Sequence, residues 1–173
     1  EELTGLSAEV GNDANVAALG EMWKGGGAGY KNLIMVTLGT GVGGGIIVGG
    51  KILTGSHGAG GEIGHVRVNP HETELCGCGG KGCLEQYASA TGIVRLAKRK
   101  LAGETRETIL NGEELSAKAV FDAVKAGDVV AKEIAETFGN YLGRALANLA
   151  IVIDPSVFVI GGGVSKAGEI LLN

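Results

Sequence analysis

The sequence predicts an α/β fold, and three observations carry that prediction. A short apolar run, Leu33 to Leu38, enters a glycine run and is followed by two more short apolar segments. Helix-periodic segments then dominate the second half. Near the end a further apolar run, Val157 to Ile160, enters a second glycine turn and a new helix. Strands followed by helices and a strand–turn–helix unit are the pattern of a layered α/β domain.

The elements follow in order. Asn12 or Asp13 opens a helix to about Lys24, with Val16, Leu19, Met22 and Trp23 at helical spacing and Gly25-Gly26-Gly27 as its stop. Leu33 to Leu38 is a buried strand. Gly39-Thr40-Gly41-Val42-Gly43-Gly44-Gly45 joins it to a second strand at 46–48. Gly49-Gly50 signals a hairpin turn into a third strand at 51–53. Residues 54–64 are a glycine-rich loop, 66–68 a short strand, and 70–83 an irregular cysteine-bearing loop. Helices are predicted over about 84–101, 116–126 and 128–151. Ile134, Phe138, Leu142, Ala145 and Leu149 recur at helical spacing in the last of them. Gly161-Gly162-Gly163 turns the final strand into a helix near Lys166.

Composition narrows the function. The chain has 173 residues, 45% of them hydrophobic, so a core can form. Aromatics are only 4%, so Val, Ile, Leu and Ala must fill it. Gly is abundant, 33 copies against 2 Pro, which suits tight turns and close backbone approach to a ligand. A net charge of −4 without a basic stripe argues against nucleic-acid binding by this segment; Lys98, Arg99 and Lys100 read as a solvated helix face. No apolar run approaches the roughly 20 residues of a membrane span. Glu1-Glu2-Leu3 does not read as a signal peptide. The chain lacks an initiator Met and stops at Leu171-Leu172-Asn173 within a new helix, so it reads as one lobe of a longer protein, cut at both ends.

Gly39, Gly41 and Gly44 match G-x-G-x-x-G, but a dinucleotide loop needs a helix immediately after the glycines, and here a strand follows. Nor is there a Gly-Lys-Ser/Thr sequence. Two readings stand: a glycine-rich hairpin turn, or a phosphate cradle in which successive N–H groups converge on an anion and Thr37 and Thr40 add hydroxyls. The 161–163 turn has the same two readings.

His65, Cys76, Cys78 and Cys83 place one imidazole and three thiols on a short stretch. Zinc takes four tetrahedral N/S ligands in structural sites, and Cys₃His is one such set. An odd, closely spaced group of cysteines suits a metal in a reducing compartment better than disulfides; idle thiols are the alternative. His57 and His71 read as loop residues. Asp13 is either a helix N-cap or a general base whose ionised form the helix N-terminus favours. Glu62 and Glu85 bracket the cysteine loop; each alone reads as a surface carboxylate.

Together these segments resemble the ROK (repressor, open reading frame, kinase) family. The resemblance rests on Gly11-Asn12-Asp13-Ala14-Asn15, Leu38 to Gly45, Glu62-Ile63-Gly64-His65, Cys76-Gly77-Cys78-Gly79, Gly82-Cys83-Leu84-Glu85 and Ile160 to Gly163, in the family's order. It implies the larger lobe of an actin/hexokinase-like (ribonuclease H-like) ATPase fold with an inserted zinc-binding loop. It implies ATP-dependent phosphorylation of a hexose at its 6-hydroxyl, glucose first, with fructose, mannose or an N-acetylhexosamine as other substrates. By similarity Asp13 is the catalytic base, and Asn12, Glu62, His65 and Glu85 bind sugar hydroxyls. Thr40, Gly41 and Gly43 face the ATP phosphates, and Gly161, Gly162 and Gly163 lie near the nucleoside. Mg²⁺ accompanies ATP, and a structural Zn²⁺ sits on His65, Cys76, Cys78 and Cys83. A cytoplasmic homodimer is implied for the full-length protein.

The family's amino-terminal Asp-x-Gly-Gly-Thr-type phosphate loop has no counterpart here, which points to a missing small lobe. A sugar-sensing repressor of the same family is the main alternative; Asn12-Asp13 and both glycine turns favour the kinase. An NAD-dependent oxidoreductase is weakened by the strand after Gly45. A zinc-stabilised interaction module leaves the Asn-Asp and Glu-x-Gly-His segments unexplained.

Overall fold

A computed structural model of the chain describes residues 5, 7, 11–112 and 114–171. The element order is α1 (Asp13–Lys24), β1 (Leu33–Leu38), β2 (Val42–Val48), β3 (Lys51–Ile52), a 3-10 turn at Ile63–His65, α2 (Glu85–Ala88), α3 (Ala90–Leu101), α4 (Ala117–Lys125), α5 (Val129–Ile153), β4 (Val157–Gly161) and a 3-10 segment over Val164–Leu171. The predicted continuation of the last helix into Leu172 and Asn173 lies outside the described residues.

The four strands form one mixed sheet in the order β3-β2-β1-β4. β1 pairs antiparallel with β2 and parallel with β4. α1 covers one face, where Ala18, Leu33, Met35 and Ile47 pack together. The other face carries Ile34, Val36, Leu38, Val42 and Ile46 into a larger core with α3, α4 and α5. Both faces of β1 are buried, which is why its sequence is a continuous apolar run and not an alternating one.

The glycine run is shorter as a turn than its sequence suggests. β2 begins at Val42, so Gly43, Gly44 and Gly45 are strand residues and only 39–41 turn. A Cβ on Gly45 would lie 2.4 Å from Cβ of Ala18, and one on Gly43 would lie 3.0 Å from Cβ of Ala14. These glycines let α1 sit directly on the sheet. On the opposite face a Cβ on Gly44 would meet Ile63 at 2.5 Å.

The helix predicted over 84–101 is two helices. Ser89 is extended (φ −84°, ψ 167°) and caps α3 by accepting from the Gly92 N–H at 2.9 Å. Gly92 allows the corner, because a Cβ there would press on the backbone of Glu85, Gln86 and Tyr87 at 2.8–2.9 Å. The predicted 66–68 strand is reduced to a single bridge between Arg67 and Cys83. The final helix starts earlier, at Val164, as a 3-10 segment interrupted at Gly168 (φ 79°). No helix among the described residues is long and apolar enough to cross a membrane.

Candidate sugar, metal and nucleotide site

Three segments converge on the start of β2. The first is the N-terminal turn of α1. Asn12 caps it, its Oδ1 accepting from the N–H groups of Ala14 and Asn15 at 2.9 and 3.2 Å. Asp13 follows, with Oδ1 accepting from the Ala14 N–H at 2.8 Å. Both side chains are exposed, and each engages one oxygen in these bonds, which leaves the Asn12 amide NH₂ and the second Asp13 oxygen to face a ligand. The cap is therefore Asn12, and Asp13 is the first residue of the helix.

The second segment is the 61–65 turn. Gly61 (φ 91°) passes so close to β2 that a Cβ would lie 2.8 Å from the Gly44 carbonyl; a Cβ on Gly64 would lie 2.1 Å from that of Val42. This approach holds Glu62 and His65, both exposed, beside the strand. Asn15 is buried next to Gly61, its Oδ1 without a hydrogen-bond partner among the described residues.

The third is Glu85, the first residue of α2. Its Oε2 accepts from the Val42 N–H at 3.0 Å, and its Oε1 lies 3.9 Å from Cys76 Sγ. A Cβ on Gly41 would stand 2.3 Å from Glu85 Oε2, so a side chain there would push the Glu85 carboxylate aside. Glu85 thus joins the cysteine loop to the glycine turn.

The cysteine loop gathers its donors. The Sγ atoms of Cys76, Cys78 and Cys83 and a ring nitrogen of His65 all lie within 4.8 Å of one another. Cys76 Sγ is 3.8 Å from His65 Nδ1, and Cys78 Sγ is 3.7 Å from Cys83 Sγ. Zn–S bonds of about 2.3 Å imply tetrahedral S···S edges of about 3.8 Å, which the Cys78–Cys83 separation matches, and the four donors together could hold a metal ion. Burial, then the neighbouring thiols of Cys78 and Cys76, push the Cys83 thiol up to about 12. A shared cation would relieve that penalty by stabilising thiolates. His65 offers Nδ1 to this cluster, so Nε2 is the nitrogen left to face outward. His57 and His71 are exposed loop residues, and neither belongs to this donor group.

Residues that the sequence did not single out hold this loop. Gln86 is buried; its Oε1 accepts from the N–H groups of Gly82 and Cys83 at 2.8 and 3.1 Å, and its Nε2 donates to the Glu74 carbonyl. Glu72 is also buried. Arg99 donates to both its oxygens at 3.0 Å, Arg95 lies 2.6 Å away, and the Tyr87 hydroxyl donates at 2.5 Å. The Arg99 guanidinium foremost, with Tyr87 and Arg95, holds the Glu72 carboxyl far below its usual range against the cost of burial. Arg99 is consequently an anchor for the cysteine loop and not part of a merely solvated face. The i,i+4 spacing of Arg95 and Arg99 was a legible signal; their partner was not.

The glycine turn borders a cleft. A cavity of about 600 Å³ is lined by Gly39, Thr40, Ala90, Phe121, Gly163 and Val164, among others. It lies between the two glycine turns, and Lys118, Asp122, Lys125 and Lys166 also line it. Gly162 (φ 89°) must be glycine, since a Cβ would press on the backbone of Leu38 at 2.5 Å. Gly43 and Thr37 instead face α1 from paired positions in the sheet.

Comparisons with known proteins agree with this architecture. The family model described as the ROK family matches residues 1–173. A glucokinase of Halalkalibacterium halodurans is 51% identical over 99% of this chain and 53% of its own length. A putative xylose repressor of a Caldicellulosiruptor species is 33% identical over 99% of this chain and 44% of its own. A crystal structure of a ROK family glucokinase from Streptomyces griseus, in complex with glucose and AMPPNP, superposes with a TM-score of 0.86 at 42% identity, covering 99% of this chain and 57% of that one. The chain thus spans about half the length of the relatives it matches. Over its full sequence, this chain belongs to the ROK family.

Proposed function

We propose that the full-length protein is an ATP-dependent hexokinase that converts glucose to glucose 6-phosphate, and that this chain is the larger, sugar- and zinc-binding lobe of its actin/hexokinase-like fold. The observation that carries this reading is the convergence of Asp13, the Glu62–His65 turn and Glu85 on the start of β2, next to a glycine turn and a cleft. The likeness to a glucokinase in complex with glucose and AMPPNP supports it.

Asn12, Glu62, His65 and Glu85 would hydrogen-bond the sugar hydroxyls and fix its 6-hydroxyl beside Asp13. The hydroxyl oxygen attacks the γ-phosphorus, the bond to the β-phosphate oxygen breaks, and ADP leaves. The released proton passes to the free Asp13 oxygen. Thr40 and Gly41 would supply the phosphate side and Gly161, Gly162 and Gly163 the nucleoside side, while Gly43, which faces α1, would act only by seating that helix. Mg²⁺ with ATP would offset charge on the transferring phosphoryl group. Zinc, bound by His65, Cys76, Cys78 and Cys83, would scaffold the loop and fix His65 so that Nε2–H donates to sugar. Reduced thiols are those of a cytoplasmic enzyme, and a dimer is expected of the full-length protein.

A coupled ATP-to-ADP assay on the full-length, zinc-loaded protein against glucose, fructose, mannose and N-acetylhexosamines tests this. Turnover greatest with glucose supports it, and preference for another hexose corrects the substrate. Sugar binding by calorimetry without turnover would overturn the kinase in favour of a repressor.

A further inference from the structure

We propose that Thr91, backed by Ser89, is a positioning residue for the Gly39–Gly41 turn and hence for the nucleotide phosphates; the inference rests on the kinase reading above. The start of α3 grips this turn by its carbonyls. The Gly39 carbonyl accepts from the Ala90 N–H at 2.7 Å, and the Thr40 carbonyl accepts from the Thr91 hydroxyl at 2.8 Å. All peptide bonds among the described residues are trans. In a trans peptide the N–H points opposite to the C=O. The N–H groups of Thr40 and Gly41 therefore both point away from α3, held there by two hydrogen bonds. Successive N–H groups turned to one side are what an anion cradle requires.

Thr91 does not stand alone. Its Oγ1 lies 2.9 Å from Ser89 Oγ. Ser89 is fully buried, donates to the Glu85 carbonyl at 2.7 Å and accepts from the Gly92 N–H at 2.9 Å. The Glu85 backbone carbonyl, Ser89, Thr91 and the Thr40 carbonyl form a continuous chain from the start of α2 to the phosphate turn. Two hydroxyl hydrogens serve its three contacts. With Ser89 donating to Glu85 and Thr91 donating to Thr40, both carbonyls are satisfied. If Thr91 turns its hydrogen toward Ser89, the Thr40 carbonyl is released and the 40–41 peptide is free to rotate. Position 91 sets the direction of the Gly41 N–H without itself touching the nucleotide.

The test compares Thr91→Val and Thr91→Ser in the full-length protein. Val keeps the shape and removes the hydroxyl, and Thr91 is exposed, so the fold tolerates it; the melting temperature checks that. Binding of a non-hydrolysable ATP analogue is read by calorimetry, and KM for ATP and for glucose are read separately. Thr91→Val is expected to weaken the analogue and raise KM for ATP about tenfold, to leave KM for glucose within about twofold, and to be rescued by Thr91→Ser. Unchanged analogue binding, an equal loss for glucose, or a serine variant no better than valine each overturns the proposal. A wild type that binds the analogue but phosphorylates no hexose removes the kinase reading alone, because the calorimetric comparison still decides the role of Thr91.

Discussion

Glu85 accepts the backbone N–H of Val42 at 3.0 Å across 43 residues of sequence. That bond places a carboxylate between the cysteine cluster, 3.9 Å away at Cys76, and the glycine turn, where a Cβ on Gly41 would displace it. A carboxylate acceptor in that position strengthens the bond to the N–H, and on the proposed reading it would also accept from a sugar hydroxyl. The proposed metal, sugar and phosphate sites are thus one connected unit.

Glu85→Gln retains an oxygen for Val42 and removes the charge. KM for glucose should rise about tenfold or more with little change in melting temperature. Steady-state kinetics with glucose varied at saturating ATP reads this directly; an unchanged KM would remove Glu85 from the sugar site.

Asp13→Asn keeps the shape of the helix start but cannot take a proton. Turnover should fall by roughly 10²–10⁴ while glucose affinity, measured by calorimetry, stays within a few-fold. A near-normal kcat would mean that another group is the base.

Gly45→Ala places a methyl 2.4 Å from Ala18 Cβ and 2.9 Å from the Ala14 carbonyl. α1 must lift from the sheet, at a cost of about 1–3 kcal/mol, and carry Asn12 and Asp13 out of register. Gly20→Ala, on the exposed side of α1 with nothing within 4 Å, should instead stabilise by about 0.5–1 kcal/mol. Chemical denaturation of both variants tests the pair, and equal effects would show that α1 does not need its glycine seat.

Cys78→Ser should lose stoichiometric zinc and lower the melting temperature together, because the ion closes an otherwise irregular loop. Metal content by atomic emission, alongside calorimetry, is the check. A full complement of zinc in the variant would sink the ligand assignment.

Glu72→Gln should cost about 3 kcal/mol near neutral pH, since it leaves Arg95 and Arg99 without their buried carboxylate. The folded Glu72 carboxyl is held below the ordinary value of 4.5, so its contribution is complete above that value and declines as the pH falls beneath it. The gap in denaturant midpoint between wild type and variant should stay constant from pH 7 to about 5 and narrow below 4.5. A gap that widens in acid would contradict this linkage.

The sequence by itself determined β1, β4 and most helices, because apolar runs and 3.6-residue periodicity are local, and it picked out His65, Cys76, Cys78 and Cys83, which the fold brings within 4.8 Å of one another. It could not determine which glycines turn and which are strand. Gly43 and Gly45 read as loop until α1 is laid across β2, and only then does the missing Cβ of each become a packing requirement. Nor could it show the break at Ser89, where capping, a hydrogen bond to Glu85 and contact with Thr91 compete with helix continuation. Arg99 read as a solvated face, and Glu72, Gln86 and Arg95 were not singled out, for the same reason: the burial of a polar side chain depends on partners that arrive from elsewhere in the chain, and folding alone decides where those partners meet.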